Sequence, residues 1–317
     1  MPPLLDVRGL RVYYMLGDEA VKAVDGVSLK VEKGEVLGLV GESGSGKSTL
    51  GLAIVRLVPH PGRILEGSVL FKGRDLLKLP EQELSKVRGG EIGMVFQDPL
   101  TSLDPLMRVG EQLVETIMAH SQLTKEEAKE KAVKYLELVG ISAERFYDYP
   151  HQFSGGMRQR AMIAMAISTS PSLLIADEPT TALDVIVQSQ IMELFQSLRE
   201  KLGLSVILIT HDISVAMEVA DKIAVMYAGH LVECAPSETL YDSPLHPYTQ
   251  GLLKAVPNIE LKDMKLVYIP GTPPDLANPP PGCRFHPRCP RAMDVCRREE
   301  PPEVEVGETT VKCHLYR

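Results

Sequence analysis

Tryptophan is absent from this 317-residue chain, asparagine occurs only at positions 258 and 278, and there are only five cysteines. No apolar run approaches about 18 residues, the length needed to span a bilayer, so no segment is expected to cross a membrane. The opening Met1-Pro2-Pro3-Leu4-Leu5-Asp6 lacks a basic stretch followed by an apolar one, so no secretory signal is expected. An excess of basic residues is also missing. Lysine and arginine number 34 against 42 aspartates and glutamates, giving a net charge of −8 and a pI near 5.6. Duplex binding draws on clustered lysine and arginine, so no nucleic-acid partner is expected. A hydrophobic content of 44% is enough for a substantial core, and the length suits two units, one of them large.

What is present starts with Gly41-Glu42-Ser43-Gly44-Ser45-Gly46-Lys47-Ser48-Thr49, a match to the phosphate-binding pattern G-x-x-x-x-G-K-[ST]. The apolar run Val36–Val40 before it reads as a buried strand, and Leu50–Val55 after it as a helix. In that setting Gly41, Ser43, Gly44 and Gly46 let successive N–H groups point at phosphate oxygens, and the helix N-terminus adds positive potential. Lys47 is expected on the β- and γ-phosphates, with Ser48 on magnesium and Thr49 completing the loop. Leu173–Glu178 reads as an apolar strand ending in two carboxylates. Asp177 then holds magnesium through water, and Glu178 orients or deprotonates the attacking water. Neither asparagine precedes lysine, so the Asn-Lys-x-Asp segment that reads guanine is missing and ATP is the expected nucleotide.

Phe153-Ser154-Gly155-Gly156-Met157-Arg158-Gln159-Arg160 resembles the S-G-G-Q-type signature of ABC transporter ATPases. It departs from that pattern at Met157, where the family usually has glutamine. The resemblance covers residues 4 to about 260. It implies a Q-loop glutamine at Gln97 that ligates magnesium, a D-loop aspartate at Asp184, a switch histidine at His211 facing the γ-phosphate, and an adenine platform at Tyr14, with Tyr13 next to it. It also implies that Ser154, Gly155 and Gly156 grip ATP held by a second ATPase subunit, a copy or a paralogue. Gln97–Pro105 and Pro244–Leu253 are similar to the peptide and nickel importer branch. The expected protein is therefore the ATPase of a dipeptide or oligopeptide importer, peripheral on the cytoplasmic face and bound to two transmembrane permease subunits. A nickel importer and a soluble ABC ATPase of repair or translation are the alternatives.

The fold class expected is α/β, a P-loop ATPase core of ABC type with an inserted α-helical subdomain and a Pro/Cys-rich C-terminal extension. The ATPase domain is placed at 1–256, its helical subdomain at about 98–165, and the extension at 257–317. Thr124-Lys125-Glu126-Glu127 is a capping box opening a helix with Ala128, Ala132, Tyr135, Leu136 and Val139 on one face.

Ten prolines between Pro270 and Pro302 argue against helix or central strand in the extension. Cys283, Cys289, Cys296 and Cys313 fall in the last 35 residues, with spacing C-x5-C-x6-C-x16-C. Disulfides are disfavoured in a reduced compartment. Thiolates suit zinc or an iron–sulfur cluster, and the tight C-x2-4-C knuckle of zinc sites is missing. A 4Fe-4S cluster, which the family resemblance also implies, is the first choice and Zn2+ the second, with His286 and His314 as alternative ligands. Cys234 reads as a small buried hydrophobe. Being distant in sequence from the ATPase motifs, the extension is expected to leave basal hydrolysis untouched.

Overall fold

The computed structural model describes residues 2–181, 183–256 and 268–317, so the expected start of the extension at 257 lies outside the described residues. Strands β1 (Leu5–Leu16), β2 (Glu19–Val31) and β3 (Val36–Val40) precede helix α1 (Lys47–Ile54). Then come β4 (Gly62–Phe71), β5 (Arg74–Asp75), α2 (Glu81–Val87) and β6 (Ile92–Val95). A helical stretch follows: α3 (Pro99–Ser102), α4 (Val109–Ala119), α5 (Lys125–Leu138) and α6 (Gly155–Ile167). Strand and helix then alternate through β7 (Leu173–Asp177), α7 (Val185–Leu202), β8 (Ser205–Thr210), α8 (Ile213–Val219), β9 (Lys222–Tyr227) and β10 (His230–Pro236). α9 (Ser237–Asp242) and α10 (Pro247–Ala255) lead into the extension, which carries β11 (Glu303–Val306) and β12 (Thr309–Lys312). The class is α/β, with the P-loop strand and helix as expected.

A first compact unit comprises residues 1–31, 36–77 and 210–317. One antiparallel sheet in it runs β2-β1-β4-β5. A second set runs β11-β12-β10-β9-β3, with β3 and β9 parallel from Leu37↔Lys222 to Val40↔Val225. All five residues of β3 are buried, which is what a near-continuous apolar strand requires when both its faces are covered. The proline argument missed the β11–β12 hairpin because the prolines stop at Pro302 and the strand starts at Glu303. The alternation Glu303-Val304-Glu305-Val306 ahead of Gly307 was the available signal. β12 pairs with β10, setting Thr310 opposite Cys234, which is half-buried rather than the buried hydrophobe expected.

The second unit comprises residues 32–35 and 78–209. Its strands β8-β7-β6 are parallel, with Leu173 opposite both Ser205 and Ile92. The capping box forms as read: Thr124 N–H donates to Glu127 Oε2 at 2.8 Å, and Glu127 N–H to Thr124 Oγ1 at 3.3 Å. Ala128, Ala132, Leu136 and Val139 are buried, whereas Tyr135 sits at the margin with its hydroxyl 2.7 Å from Ser170 Oγ.

One buried group of the first unit makes stability depend on pH. His246 caps α10, its Nδ1 accepting from Tyr248 N–H at 3.1 Å, and burial pushes its pKa down to about 3. The unfolded chain takes up a proton near pH 6.5 that the folded chain refuses, so stability falls as pH drops below that value. Between about pH 7 and pH 5 the loss is about 2 kcal/mol from this group alone. Urea melts at the two pH values check it. His246→Asn, which retains a capping acceptor, flattens the difference.

Candidate functional site

The first unit supplies the phosphate loop. Gly46 stands at φ +102° at the N-terminal end of α1, where a Cβ would lie 1.9 Å from Ala23 O. At Gly41 a Cβ would meet Met226 O at 2.1 Å. Side chains at either position would push the loop off β2 and β9, so glycine is required at both. Lys47 is buried, and its Nζ donates to Gly41 O at 2.8 Å and Glu42 O at 3.0 Å. Ser43 and Gly44 form the exposed apex, and the Ser45 hydroxyl is buried with no hydrogen-bond partner among the described residues. The Tyr14 hydroxyl lies 3.3 Å from Thr49 Oγ1 beside the loop, whereas the Tyr13 hydroxyl donates to Asp25 at 2.8 Å. His211 is exposed just after β8. A glycine cradle, a lysine held by the loop's own carbonyls and an orphaned buried hydroxyl fit a polyphosphate bound with magnesium.

The second unit supplies the carboxylates. Asp177 is buried at the end of β7, and Glu178 follows at φ +45°, a left-handed conformation costly for a side-chain-bearing residue. Glu178 N–H donates to Ile209 O at 2.9 Å, which anchors that bend. Gln97 Nε2 and Thr181 Oγ1 each donate to Glu178 Oε2 at 2.9 Å. Gln97 therefore meets the catalytic candidate directly, and Thr181 is a partner that the sequence reading did not single out. Ser154 is the N-cap of α6 and accepts from Met157 N–H at 3.3 Å. Its hydroxyl oxygen is thus turned to its own helix. Gly155 and Gly156 open that helix, and a Cβ on Gly156 would meet Val187 Cγ1 at 2.7 Å. Asp184 caps α7 by accepting from Val187 N–H at 2.9 Å, and Val185 and Ile186 beside it are 80% and 73% exposed. An open groove of about 890 Å³ in the helical stretch is lined by Met107, Val114, Met118, Ala119, Phe146 and Tyr147.

The extension reaches the phosphate loop although it is distant from the ATPase motifs in sequence. Arg288 forms a two-pronged pair with Glu42, Nη1 to Oε2 at 2.7 Å and Nη2 to Oε1 at 3.0 Å. Glu42 N–H donates to the Tyr248 hydroxyl at 2.9 Å. Sequence reading missed both contacts because Glu42 fills a free position of the motif and Arg288 lies among prolines, where no periodicity marks it.

The four tail cysteines are half-buried (Cys283, Cys289) or buried (Cys296, Cys313), and Cys283 N–H donates to Cys296 O at 2.9 Å. Burial pushes the Cys283 thiol up to about 11 and raises Cys289 and Cys313, the neighbouring thiols adding to each rise. Among the described residues no three His, Cys, Asp or Glu side chains are arranged to hold a metal ion. The expected 4Fe-4S ligand set is therefore not supported by the arrangement of the described residues, although the tail thiols are near enough to raise one another. The alternative ligands are also engaged, His286 Nδ1 lying 2.9 Å from Cys283 O and His314 Nε2 2.9 Å from Glu299 O.

Residues 24–181 match the family model described as ABC transporter, and 232–296 the one described as oligopeptide/dipeptide transporter, C-terminal region. The chain is 50% identical to an oligopeptide transport ATP-binding protein of Bacillus subtilis, over 96% of this chain and 87% of that one. A dipeptide transport ATP-binding protein of the same organism is 47% identical, over 99% of this chain and 95% of that one. Among solved structures, a dimeric ATP-binding cassette in a post-hydrolysis state, bound to ADP and Pi, superposes with a TM-score of 0.67 at 31% identity. It covers 74% of this chain and 98% of its own.

Proposed function

The chain belongs to the ABC transporter ATP-binding family, and on that premise we propose that it is the ATP-hydrolysing subunit of a peptide importer. It is an ATPase of the ATP-binding cassette kind and uses ATP with magnesium. The observation that carries the peptide reading is near-half identity, over almost the whole chain, to oligopeptide and dipeptide transport proteins. The match of 232–296 to the C-terminal region of such transporters favours peptides over nickel. No helix among the described residues is long and apolar enough to cross a membrane. The chain works at the cytoplasmic face, peripheral to two permease subunits, and pairs with a second ATPase subunit.

The domain division behind this reading is an ATPase domain at 1–256, a helical subdomain at about 98–165, and an extension at 257–317. Gly41, Ser43, Gly44, Gly46 and Thr49 cradle the phosphates, Lys47 neutralises them, and Tyr14 stacks on adenine. Ser48, Gln97 and, through water, Asp177 hold magnesium, which when bound screens charge on the phosphate oxygens. Glu178 accepts the proton of the attacking water, and His211 donates to the γ-phosphate. Ser154, Gly155 and Gly156 present the positive end of α6 to ATP on the second subunit, and Asp184 lies at that interface. The groove along α4, where Met118 and Tyr147 are exposed between Glu111, Glu115, Lys125 and Lys129, takes an amphipathic helix of a permease.

Deletion of the gene is expected to abolish uptake of labelled peptides, with rescue by the wild-type chain and none by Glu178→Gln. The chain is expected in the membrane fraction only while the permease subunits are present. Intact peptide uptake with lost nickel uptake would select the nickel alternative.

The finer reading of the extension is a metal centre on Cys283, Cys289, Cys296 and Cys313, iron–sulfur first and zinc second. It is supported by the mutual effect of the thiols and opposed by the lack of converging ligands. Protein made without oxygen is then brown, with absorption near about 400 nm that serine at any of the four positions bleaches. Cys234→Ser leaves the colour intact. Colourless, metal-free protein from that preparation rejects both metals.

A further inference from the structure

We propose that the Cys283–Cys289 loop is a positioning element of the phosphate loop, with Arg288 as its principal residue and Arg284 as its second. The inference deepens the ATPase reading and rests on it. The loop carries an arginine next to each of its two end cysteines, and both arginines are at least nine-tenths buried. Each is directed at a different part of the nucleotide cradle.

Arg288 chelates the Glu42 carboxylate, donates to the Tyr227 hydroxyl at 3.3 Å, and is tied to its own segment through Nε to Pro270 O at 2.9 Å. Glu42 is thereby fixed at three points. Its carboxylate lies on Arg288, its N–H on the Tyr248 hydroxyl, and its carbonyl on Lys47 Nζ. The same carbonyl that fixes the lysine thus belongs to the residue that the extension grips.

Arg284 acts three residues further along the loop, at Ser45. It pairs with Asp25, and its Nη1 donates to Ala228 O. That holds the β9–β10 turn, whose Gly229 N–H donates to Ser45 O at 2.9 Å inside the phosphate loop. Phe285, between the arginines, packs against Tyr227 and Tyr248 with ring centres 5.1 and 5.4 Å away. The rings and the two ion pairs, whose arginines are buried and whose carboxylates are partly so, form one block beneath the loop. Pre-set loop geometry saves ordering cost on binding, so loosening the block weakens ATP without removing any group that touches it.

Breaking one partner of a buried pair also lowers stability, because it strands a charge. The test therefore separates affinity from stability through the cycle Glu42→Gln, Arg288→Met and the double variant. Binding of a fluorescent ATP analogue with magnesium and thermal melting are read on each. Both single variants are expected to melt lower and bind about tenfold more weakly, a usual scale for coupled sites. The double variant strands no charge, so its melting temperature recovers while its affinity stays about tenfold low.

If Arg288→Met does not fold, Arg288→Lys keeps the charge, loses the two-pronged geometry, and is expected to bind at least about threefold more weakly at a near-normal melting temperature. Arg317→Gln, which breaks an exposed ion pair with Glu299 in the same extension, leaves affinity unchanged. Affinity that recovers together with the melting temperature, or folded variants with wild-type affinity, overturns the proposal alone. A wild-type chain that does not bind the analogue overturns the ATPase reading and this one with it.

Discussion

Replacing Glu178 by glutamine cuts ATP turnover by about 100-fold or more, the usual scale for losing a positioned base, while ATP still binds. The geometry favours a clean result. A glutamine oxygen can accept the same 2.9 Å hydrogen bonds from Gln97 Nε2 and Thr181 Oγ1, so the side chain stays where it is. What disappears is the negative charge and with it the ability to take a proton from water. The bend at φ +45° is shared by both residues and does not distinguish them. With hydrolysis stopped, the ATP-bound dimer accumulates. Light scattering with and without magnesium–ATP measures that directly, and phosphate release measures turnover. Hydrolysis near the wild-type rate would remove Glu178 from the reaction.

Lys47→Ala weakens ATP by about 100-fold or more, since hydrogen bonds to charged groups contribute about 1.5–3 kcal/mol each, two are lost, and the lower end of their sum already exceeds two powers of ten. The loss has a second source in the protein itself. Lys47 Nζ ties Gly41 O to Glu42 O, closing the loop that it also serves, so its removal leaves two carbonyls without their shared donor. Lys47→Arg is expected to be no rescue, because the side chain is buried at 4% exposure and a planar guanidinium does not reproduce the compact ammonium. Calorimetric titration with ATP checks both variants, and an unchanged isotherm would rule out the phosphate-loop assignment.

The motifs made the ATPase legible because each combines a strict spacing with a residue type that chemistry demands. The strand before Gly41, the helix after it and the capping box at Thr124 followed from local rules and are present as read. The extension was harder to read. Its prolines described the segment up to Pro302 and concealed the hairpin beyond it. The roles of Arg284 and Arg288 depend on partners more than two hundred residues away, which no local pattern encodes. The cysteine spacing suggested a metal centre, whereas among the described residues the thiols, two buried and two half-buried, are not grouped as a ligand set. Distance in sequence from the ATPase motifs concealed these contacts, because Arg284 and Arg288 pack back against the phosphate loop and its neighbours.

That return sets an order of events during synthesis. The first unit is assembled from 1–31, 36–77 and 210–317, and the Arg284–Asp25 and Arg288–Glu42 pairs span 259 and 246 residues. Such long-range contacts form late, after the loop-closure entropy between the segments has been overcome. The phosphate loop leaves the ribosome well over two hundred residues before Arg284 and Arg288 do. A nascent chain therefore carries a nucleotide site without these two pairs until Arg284 and Arg288 emerge.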